Sequence, residues 1–406
     1  MKKTRVGILF GGRSGEHEVS LLSAASVLQA IDRRKYDVIP IGITKEGRWV
    51  TAGHAERLLA GEKSGKHLRA GDPEATQPAA VLRKGESVLV PPVPSEALVP
   101  FETTAPPAPE ARPPVRSAPP VRPAPPDHVL SIDVIFPVLH GTFGEDGTIQ
   151  GLFELAGLAY VGSGVLGSAT GMDKDTMHRL FASAGLPIVK WVTFLRGEWE
   201  KSPRKVRARI EAPLKYPVFV KPANLGSSVG ISKAHDAKEL GPAIDLAARF
   251  DRKIVVEQGV GGKKGKPREL EVAVLGNDDP EASVVGEVVP GKEFYDYEAK
   301  YLSEGSDLIV PAKLAKAQTK QVREMAIRAF QACDCAGLAR VDFLMEPGAS
   351  GRIYVNEINT LPGFTSISMY PRLWAASGVG YPELIDRLIQ LAMERRAEKD
   401  RNRYSL

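Results

Sequence analysis

The proline-rich segment from residue 91 to residue 126 places the strongest constraint on what this chain can fold into. It holds 14 of the 32 prolines. Proline lacks a backbone N–H and fixes φ, so such a segment neither packs a core nor donates hydrogen bonds to a sheet regularly. We therefore predict an exposed, largely disordered insertion over about residues 72–127, most simply a linker, with docking of a partner as the alternative.

The sequence before and after this insertion predicts an open α/β domain. A short apolar strand at residues 5–10 is followed by a glycine turn and by apolar residues at helical spacing. Further strands are predicted at 37–43 and 131–139. This order is typical of a sheet whose ligands meet the carboxyl ends of the strands. We place the end of the domain near residue 162.

The remaining sequence is long enough for two more domains. It begins with a predicted helix at 173–184 and a strand at 217–222, and from about residue 258 strands and helices alternate again. A final amphipathic helix opens at Pro382, where the missing N–H costs little. We predict a central domain over 163–257 and a C-terminal domain over 258–406.

Charge and cysteine content exclude several classes of protein. The net charge of +5 comes from 54 basic and 49 acidic residues spread along the chain, which does not suggest a nucleic-acid partner. Only Cys333 and Cys335 are present, too few for a disulfide framework or a four-cysteine zinc site. We find neither an export signal nor an apolar stretch of membrane-spanning length, so we expect a soluble, cytoplasmic protein with no membrane partner.

The glycine- and serine-rich stretch at residues 217–233 is a candidate phosphate-binding loop. Lys221 ends a predicted strand, and the loop that follows offers backbone N–H donors and an ammonium to phosphate oxygens. An ordinary hairpin is the alternative, because glycine-rich turns are common. No Walker A motif is present, which disfavours a P-loop nucleotidase.

Acidic and amide side chains in two later strands predict a magnesium site. Asp342 lies in one apolar strand, and Glu357 and Asn359 lie two residues apart in the next, so that the latter pair shares a face. Hard oxygen donors suit Mg²⁺, which binds nucleotide phosphates while keeping several waters. The alternative is that these side chains merely face water, but the neighbouring Arg340 favours a site.

Residues 162–167 match the pattern G-x-G-x-x-G, which by itself suggests a dinucleotide site. A ribose-binding acid is expected about twenty positions later. Residues 176–197 contain neither Asp nor Glu. We therefore reject an NAD-dependent oxidoreductase.

Seven segments, in the same order along the chain, resemble the D-alanine:D-alanine ligases of the ATP-grasp superfamily. They are residues 11–20, 140–147, 171–174, 221–230, 294–301, 339–342 and 356–366. The resemblance implies an α/β (α+β) protein, with an ATP-grasp fold behind an N-terminal open α/β domain. It also implies a homodimer that grips ATP between its second and third domains and holds the amino acids near the first.

The resemblance assigns a set of residues to ATP and metal. Nucleotide ligands would be Lys174, Lys221, Ser228, Glu257, Gln258, Val260, Glu269 and Lys300. A Gly/Lys insertion at residues 261–267 is a departure from the family pattern next to Glu269. Two Mg²⁺ ions, replaceable by Mn²⁺, would bind Asp342, Glu357 and Asn359.

The same resemblance assigns the amino acids. Glu16 would hold the ammonium of the first D-alanine in a cluster with Ser227 and Tyr301, although a carboxylate after a glycine turn also favours a helix N-terminus. His140 and Glu145 would support this subsite. For the second D-alanine, Ser368 would bind the carboxylate and Met369 would form a wall.

The implied reaction makes D-alanyl-D-alanine, a peptidoglycan precursor, through a D-alanyl phosphate. The oxyanion would form beside Arg340 and the N–H of Gly363, and a loop at 295–301 would close as a lid. One alternative is a D-alanine:D-lactate ligase, against which Tyr301 argues. Others are a non-catalytic ATP-binding scaffold and an ATP-grasp ligase for another acid.

Overall fold

The computed structural model describes residues 3–51, 78, 82, 86–89, 97–100, 130–261, 265–289, 307–348 and 351–404. These residues form three sheets, of eight, four and five strands. The first sheet is mixed, and the other two are antiparallel. The mixed α/β class predicted above is confirmed.

The first sheet is built around β1 (Thr4–Gly11), which is parallel to β2 (Tyr36–Ile43) and to β7 (Val134–Pro137). The apolar run in β1 is continuous because helices cover both faces of a parallel sheet. Helices α1 (His17–Ala30) and α2 (Thr148–Ala156) belong to this domain, and β8 (Ala159–Tyr160) ends the sheet beside β7.

The other edge of this sheet contains two strands within residues 72–127 that the sequence did not predict. After β3 (Trp49–Thr51), the strands β4 (Glu86–Leu89), β5 (Ala97–Pro100) and β6 (Leu130–Ser131) extend the sheet in sequence. A strand can form at β5 because only its last residue is proline, so three backbone donors remain. Most of the predicted insertion lies outside the described residues.

The central sheet has the order β11-β10-β12-β9. Its strands are β9 (Trp191–Leu195), β10 (Val218–Pro222), β11 (Ser232–Ala234) and β12 (Lys253–Gln258). Helices α5 (Arg196–Lys201), α6 (Pro203–Glu211) and α7 (Ala237–Ala247) pack on it through an apolar core. Before this sheet come α3 (Val165–Met172) and α4 (Lys174–Ser183).

The third sheet has the order β15-β14-β13-β16-β17. Its strands are β13 (Arg268–Gly276), β14 (Glu281–Val289), β15 (Asp307–Ile309), β16 (Gly337–Met345) and β17 (Ile353–Asn359). Helix α8 (Lys316–Ala332) packs on one face. In β16 the fully buried side chains alternate with Arg340 and Asp342, so these two polar residues lie on the opposite face.

The last two helices are α9 (Met369–Ala376) and α10 (Tyr381–Lys399), and α10 is hydrogen-bonded to residues of the first sheet. Asp386 on α10 accepts hydrogen bonds from Lys35, at 3.0 Å, and from the hydroxyl of Tyr36. Arg395 donates to the carbonyl of Tyr160 at 3.1 Å. In the parts of the chain that are described, no helix combines the length and apolar character needed to cross a bilayer.

The glycines at residues 162–167 serve packing. A Cβ at Gly167 would lie 2.4 Å from the carbonyl oxygen of Asp334, so only glycine permits this approach between α3 and the segment before β16.

Candidate active site

A cavity of about 350 Å³ lies where elements of all three domains meet. It collects eleven of the residues predicted from the sequence. They are Glu16, His140, Glu145, Lys174, Ser227, Arg340, Glu357, Asn359, Gly363, Ser368 and Met369.

Glu16 links the first domain to the glycine- and serine-rich loop of the second. It occupies the N-cap position of α1, but its side chain makes no capping hydrogen bond. Its carboxylate instead accepts a hydrogen bond from the hydroxyl of Ser227. Gly141, with φ of +76°, approaches so closely that a Cβ there would lie 2.9 Å from Glu16 Oε2. The carboxylate is thus oriented into the cavity rather than along the helix.

His140 and Glu145 form a buried pair behind Glu16. Glu145 Oε1 lies 3.7 Å from His140 Nδ1 and accepts a hydrogen bond from the N–H of Gly141 at 3.0 Å. Burial raises the pKa of Glu145. Burial opposes the charge of His140, but the nearby carboxylate of Glu145 outweighs it and raises the pKa of the imidazole. The pair therefore keeps a proton to a higher pH than a free histidine.

Two buried lysines lie in the middle part of the chain, and of these Lys174 lines the cavity whereas Lys221 does not. Lys221 Nζ lies 2.6 Å from Glu257 Oε2. Burial opposes the charge of Lys221, but the carboxylates of Glu257 and Glu357 outweigh it and raise the pKa of this ammonium. Lys174 donates to the carbonyl of Leu225 at 2.9 Å and lies 4.0 Å from Glu357 Oε2. Both ammonium groups are suited to phosphate oxygens.

The three predicted metal ligands lie on adjacent strands and on one face. Asp342 on β16 is directly opposite Glu357 on β17, and Asn359 is directly opposite Arg340. Two carboxylates facing each other repel unless a cation lies near them. The oxygen donor set therefore fits a hard divalent cation. Among the described residues no group of three or more His, Cys, Asp or Glu is arranged to hold a metal, and this set offers two carboxylates and one amide.

The remaining residues predicted to bind the nucleotide lie in the loop between β10 and β11 and in the segment from β12 to β13. The side chain of Gln258 is hydrogen-bonded to the backbone of Lys215, and its backbone N–H donates to the carbonyl of Lys190 at 2.9 Å. Glu269 lies in β13 opposite Val288. Ser228 has φ of +60° in the loop, and Val260 is half-buried. Lys300, Tyr301 and the predicted lid at 295–301 lie outside the described residues.

The end of β17 and the start of α9 form the opposite wall. Ser368 Oγ lies 2.7 Å from Thr365 Oγ1 and accepts a hydrogen bond from the N–H of Thr365 at 3.1 Å. A Cβ at Gly363 would lie 3.3 Å from Ser368 Oγ, so a side chain there would crowd this hydroxyl. Met369, together with Val288 and Leu308, makes the wall apolar.

Two buried polar residues near the site were missed by sequence reasoning. Glu271 lines the cavity, and its Oε2 lies 3.2 Å from Arg340 Nε. His178 Nε2 lies 3.7 Å from Glu257 Oε1, and burial lowers the pKa of this imidazole. The available signals were the two-residue spacing of Glu271 from Glu269 in a strand and the four-residue spacing of His178 from Lys174 in a helix.

Comparison with known proteins identifies the family. Models of the D-ala D-ala ligase N-terminus and C-terminus match residues 5–163 and 180–390. The D-alanine–D-alanine ligase of Ruminiclostridium cellulolyticum is 50% identical, over 100% of this chain and 99% of the relative. That of Natranaerobius thermophilus is 45% identical, over 99% and 98% of the two chains.

Solved structures show the same relationship. The VanG D-Ala:D-Ser ligase of Enterococcus faecalis matches with a TM-score of 0.76 and 35% identity, covering 96% of this chain and 100% of that one. The D-alanine–D-alanine ligase of Coxiella burnetii matches with a TM-score of 0.73 and 32% identity, covering 98% and 97%. The fold, the cavity and these relatives together show that the chain belongs to the D-alanine–D-alanine ligase family.

Proposed function

We propose that this chain joins two D-alanines to D-alanyl-D-alanine, with ATP converted to ADP and phosphate, and so supplies a peptidoglycan precursor. Proteins of its family use ATP and metal ions. The observation that carries the proposal is the single cavity in which Glu16 and Ser227, the ammonium of Lys174 and the carboxylate of Glu357 face one another. We also propose that the chain is cytoplasmic and works as a homodimer.

The first D-alanine binds beside Glu16. Its ammonium pairs with this carboxylate, which the hydroxyl of Ser227 and the backbone around Gly141 hold in place. Behind it, His140 and Glu145 add a buried pair, in which His140 is hydrogen-bonded to the carbonyl of Leu361 and Glu145 to the N–H of Gly141. The carboxylate of this D-alanine is thereby turned toward the lysines and Arg340.

The nucleotide lies between the second and third sheets. Lys174 and Lys221 contact its phosphates, while Glu257, Gln258 and Glu269 face the adenosine. Asp342, Glu357 and Asn359 would hold two Mg²⁺ ions, for which Mn²⁺ would substitute. When bound, the metal would supply positive charge beside the transferred phosphoryl group.

Two steps then complete the reaction. A carboxylate oxygen of the first D-alanine attacks the γ-phosphorus, the bond to ADP breaks, and an acyl phosphate forms. The free amine of the second D-alanine, held by Ser368 through its carboxylate, attacks the acyl carbon. The tetrahedral oxyanion is stabilised by Arg340 and the N–H of Gly363. Phosphate then leaves, and it keeps the carboxylate oxygen that attacked the γ-phosphorus in the first step.

D-Serine is the main alternative to D-alanine as the second substrate, because one similar structure is that of a D-Ala:D-Ser ligase. A competition assay decides between the candidates. The purified chain is incubated with equal D-alanine, D-serine and D-lactate plus ATP and Mg²⁺, and products are identified by mass spectrometry. We expect D-alanyl-D-alanine as the main product. A main product containing D-serine or D-lactate, or ATP hydrolysis independent of D-alanine, would overturn the proposal.

A further inference from the structure

A row of three carboxylates crosses the third sheet beneath the cavity. Glu271 on β13 is the direct neighbour of Asp342 on β16, which is the direct neighbour of Glu357 on β17. The side chains of Glu271 and Asp342 are only 11% and 15% exposed. Like charges placed directly opposite each other destabilise paired strands, so this row requires positive charge close by.

Arg340 is the cation that joins two members of the row. Its Nε and Nη2 donate to the two oxygens of Asp342, each at 2.7 Å. The same Nε lies 3.2 Å from Glu271 Oε2, and the guanidinium lines the cavity. Each oxygen of Asp342 accepts one hydrogen bond from Arg340, so a metal held by Asp342 would share at least one of these oxygens with the guanidinium. Two positive groups would then draw on one carboxylate, and each would weaken the binding of the other.

We propose that Glu271 is a positioning residue that holds Arg340 over the cavity while Asp342 binds the metal. This inference rests on the proposed function, which assigns Asp342 to the metal. Glu271 gives the guanidinium a second acceptor. Arg340 can therefore give up hydrogen bonds to Asp342 and still stay in the site. Because Glu271 lies on the far side of Asp342 from Glu357, it draws Arg340 away from the metal ligands.

The first test compares Glu271→Gln with a matched control. Glu287 on β14 is equally buried and pairs with Arg268 at 2.6 Å, but it does not line the cavity. We expect Glu271→Gln to lower kcat for D-alanine about tenfold while the KM for ATP changes by less than about twofold. Glu287→Gln should lower thermal stability and leave kcat unchanged. Wild-type kcat in Glu271→Gln would overturn the proposal.

A metal titration reads the same effect without catalysis. Binding of Mn²⁺ to the full chain with ADP is measured by calorimetry. We expect Glu271→Gln to weaken Mn²⁺ binding about fivefold, because Arg340 then stays on Asp342. In an Arg340→Ala background the same substitution should change the affinity by less than about twofold. Equal weakening in both backgrounds would mean that Glu271 acts on the metal directly, and the proposal would fail.

If Arg340→Ala does not fold, Arg340→Lys provides the background. An ammonium keeps the charge but cannot make the two-point contact that a guanidinium makes with a carboxylate. The same loss of effect is expected there. Since the titration contains no amino acid, absence of dipeptide synthesis leaves the coupling between Glu271 and Arg340 measurable. Absence of Mn²⁺ binding by the wild type would overturn both the ligand assignment and this inference.

Discussion

Glu357 stands between a like charge and an opposite one. Asp342 is directly opposite it on β16, and Lys174 Nζ lies 4.0 Å from its Oε2. If Glu357 is a metal ligand, removing its charge must weaken the site, whereas removing the charge of a surface carboxylate must not. We therefore expect Glu357→Gln to fold normally and to lower Mg²⁺-dependent kcat by more than about 100-fold. This loss is larger than the one usually caused by changing a residue that only hydrogen-bonds to a metal ligand.

The control is Glu281→Gln, because the side chain of Glu281 is 62% exposed and pairs with Arg387 away from this cavity. Steady-state kinetics at saturating ATP and circular dichroism are the two measurements. A Glu357→Gln enzyme with more than half of wild-type turnover would remove this residue from the metal site.

At the scale of elements, the start of α4 carries both a helix cap and an ion pair. Asp173 accepts a hydrogen bond from the N–H of Thr176 at 2.9 Å and pairs with Lys253. Burial acts to raise the pKa of Asp173, but the hydrogen bond from Lys253 outweighs it and the pKa is lowered. The resulting stabilisation is fully present above the ordinary value of 3.8 and is lost as the pH falls through the folded-state value.

Asparagine also caps helices well, so Asp173→Asn isolates the contribution of the charge. We expect it to cost about 1 kcal/mol at pH 7. For a chain of 406 residues this corresponds to a decrease in Tm of about 1 °C. The difference from wild type should shrink below pH 3.8. Asp236→Asn, at the exposed cap of α7, is the control. Thermal unfolding followed by circular dichroism measures both variants, and an equal effect of the two would contradict the role of Lys253.

The position of β5 determines which part of the proline-rich segment can be deleted without loss of a strand. Deleting residues 102–124 removes no described strand, so we expect a folded enzyme with kcat within about twofold of wild type. Deleting residues 95–124 also removes β5, which pairs with both β4 and β6. This longer deletion should lower the Tm. Equal stability of the two deletions would show that β5 contributes little, and loss of activity in the shorter one would show that the segment is more than a linker.

The sequence predicted the elements that have a regular pattern. The strands around Asp342 and Glu357 followed from alternation, and the structure places these two residues directly opposite each other. The resemblance to the D-alanine:D-alanine ligases is confirmed as well. The pattern did not predict β5, in which only the last residue is proline although the surrounding segment is proline-rich. The pattern also did not indicate Glu271. Only the cross-strand register places this acid opposite Asp342 and next to Arg340.

At the scale of the whole molecule, the site depends on how the domains meet. Glu16 and Ser227 are 211 positions apart, and their hydrogen bond joins the first domain to the loop of the second. Asp386 and Arg395 on α10 join the third domain to the first. Such contacts have no local sequence signal. The family resemblance grouped Glu16 with Ser227 beforehand, but the contacts of Asp386 and Arg395 were not predicted. The boundaries near residues 162 and 257, the homodimer and the lid at 295–301 stay predictions.

Under the proposed function the chain activates a carboxylate with ATP. The test uses D-alanine labelled with ¹⁸O in both carboxylate oxygens, incubated with the chain, ATP and Mg²⁺. One labelled oxygen attacks the γ-phosphorus, and it stays on the phosphate when the amine of the second D-alanine displaces that phosphate from the acyl carbon. We expect each released phosphate to carry one ¹⁸O by mass spectrometry. Unlabelled phosphate formed together with dipeptide would contradict the claim.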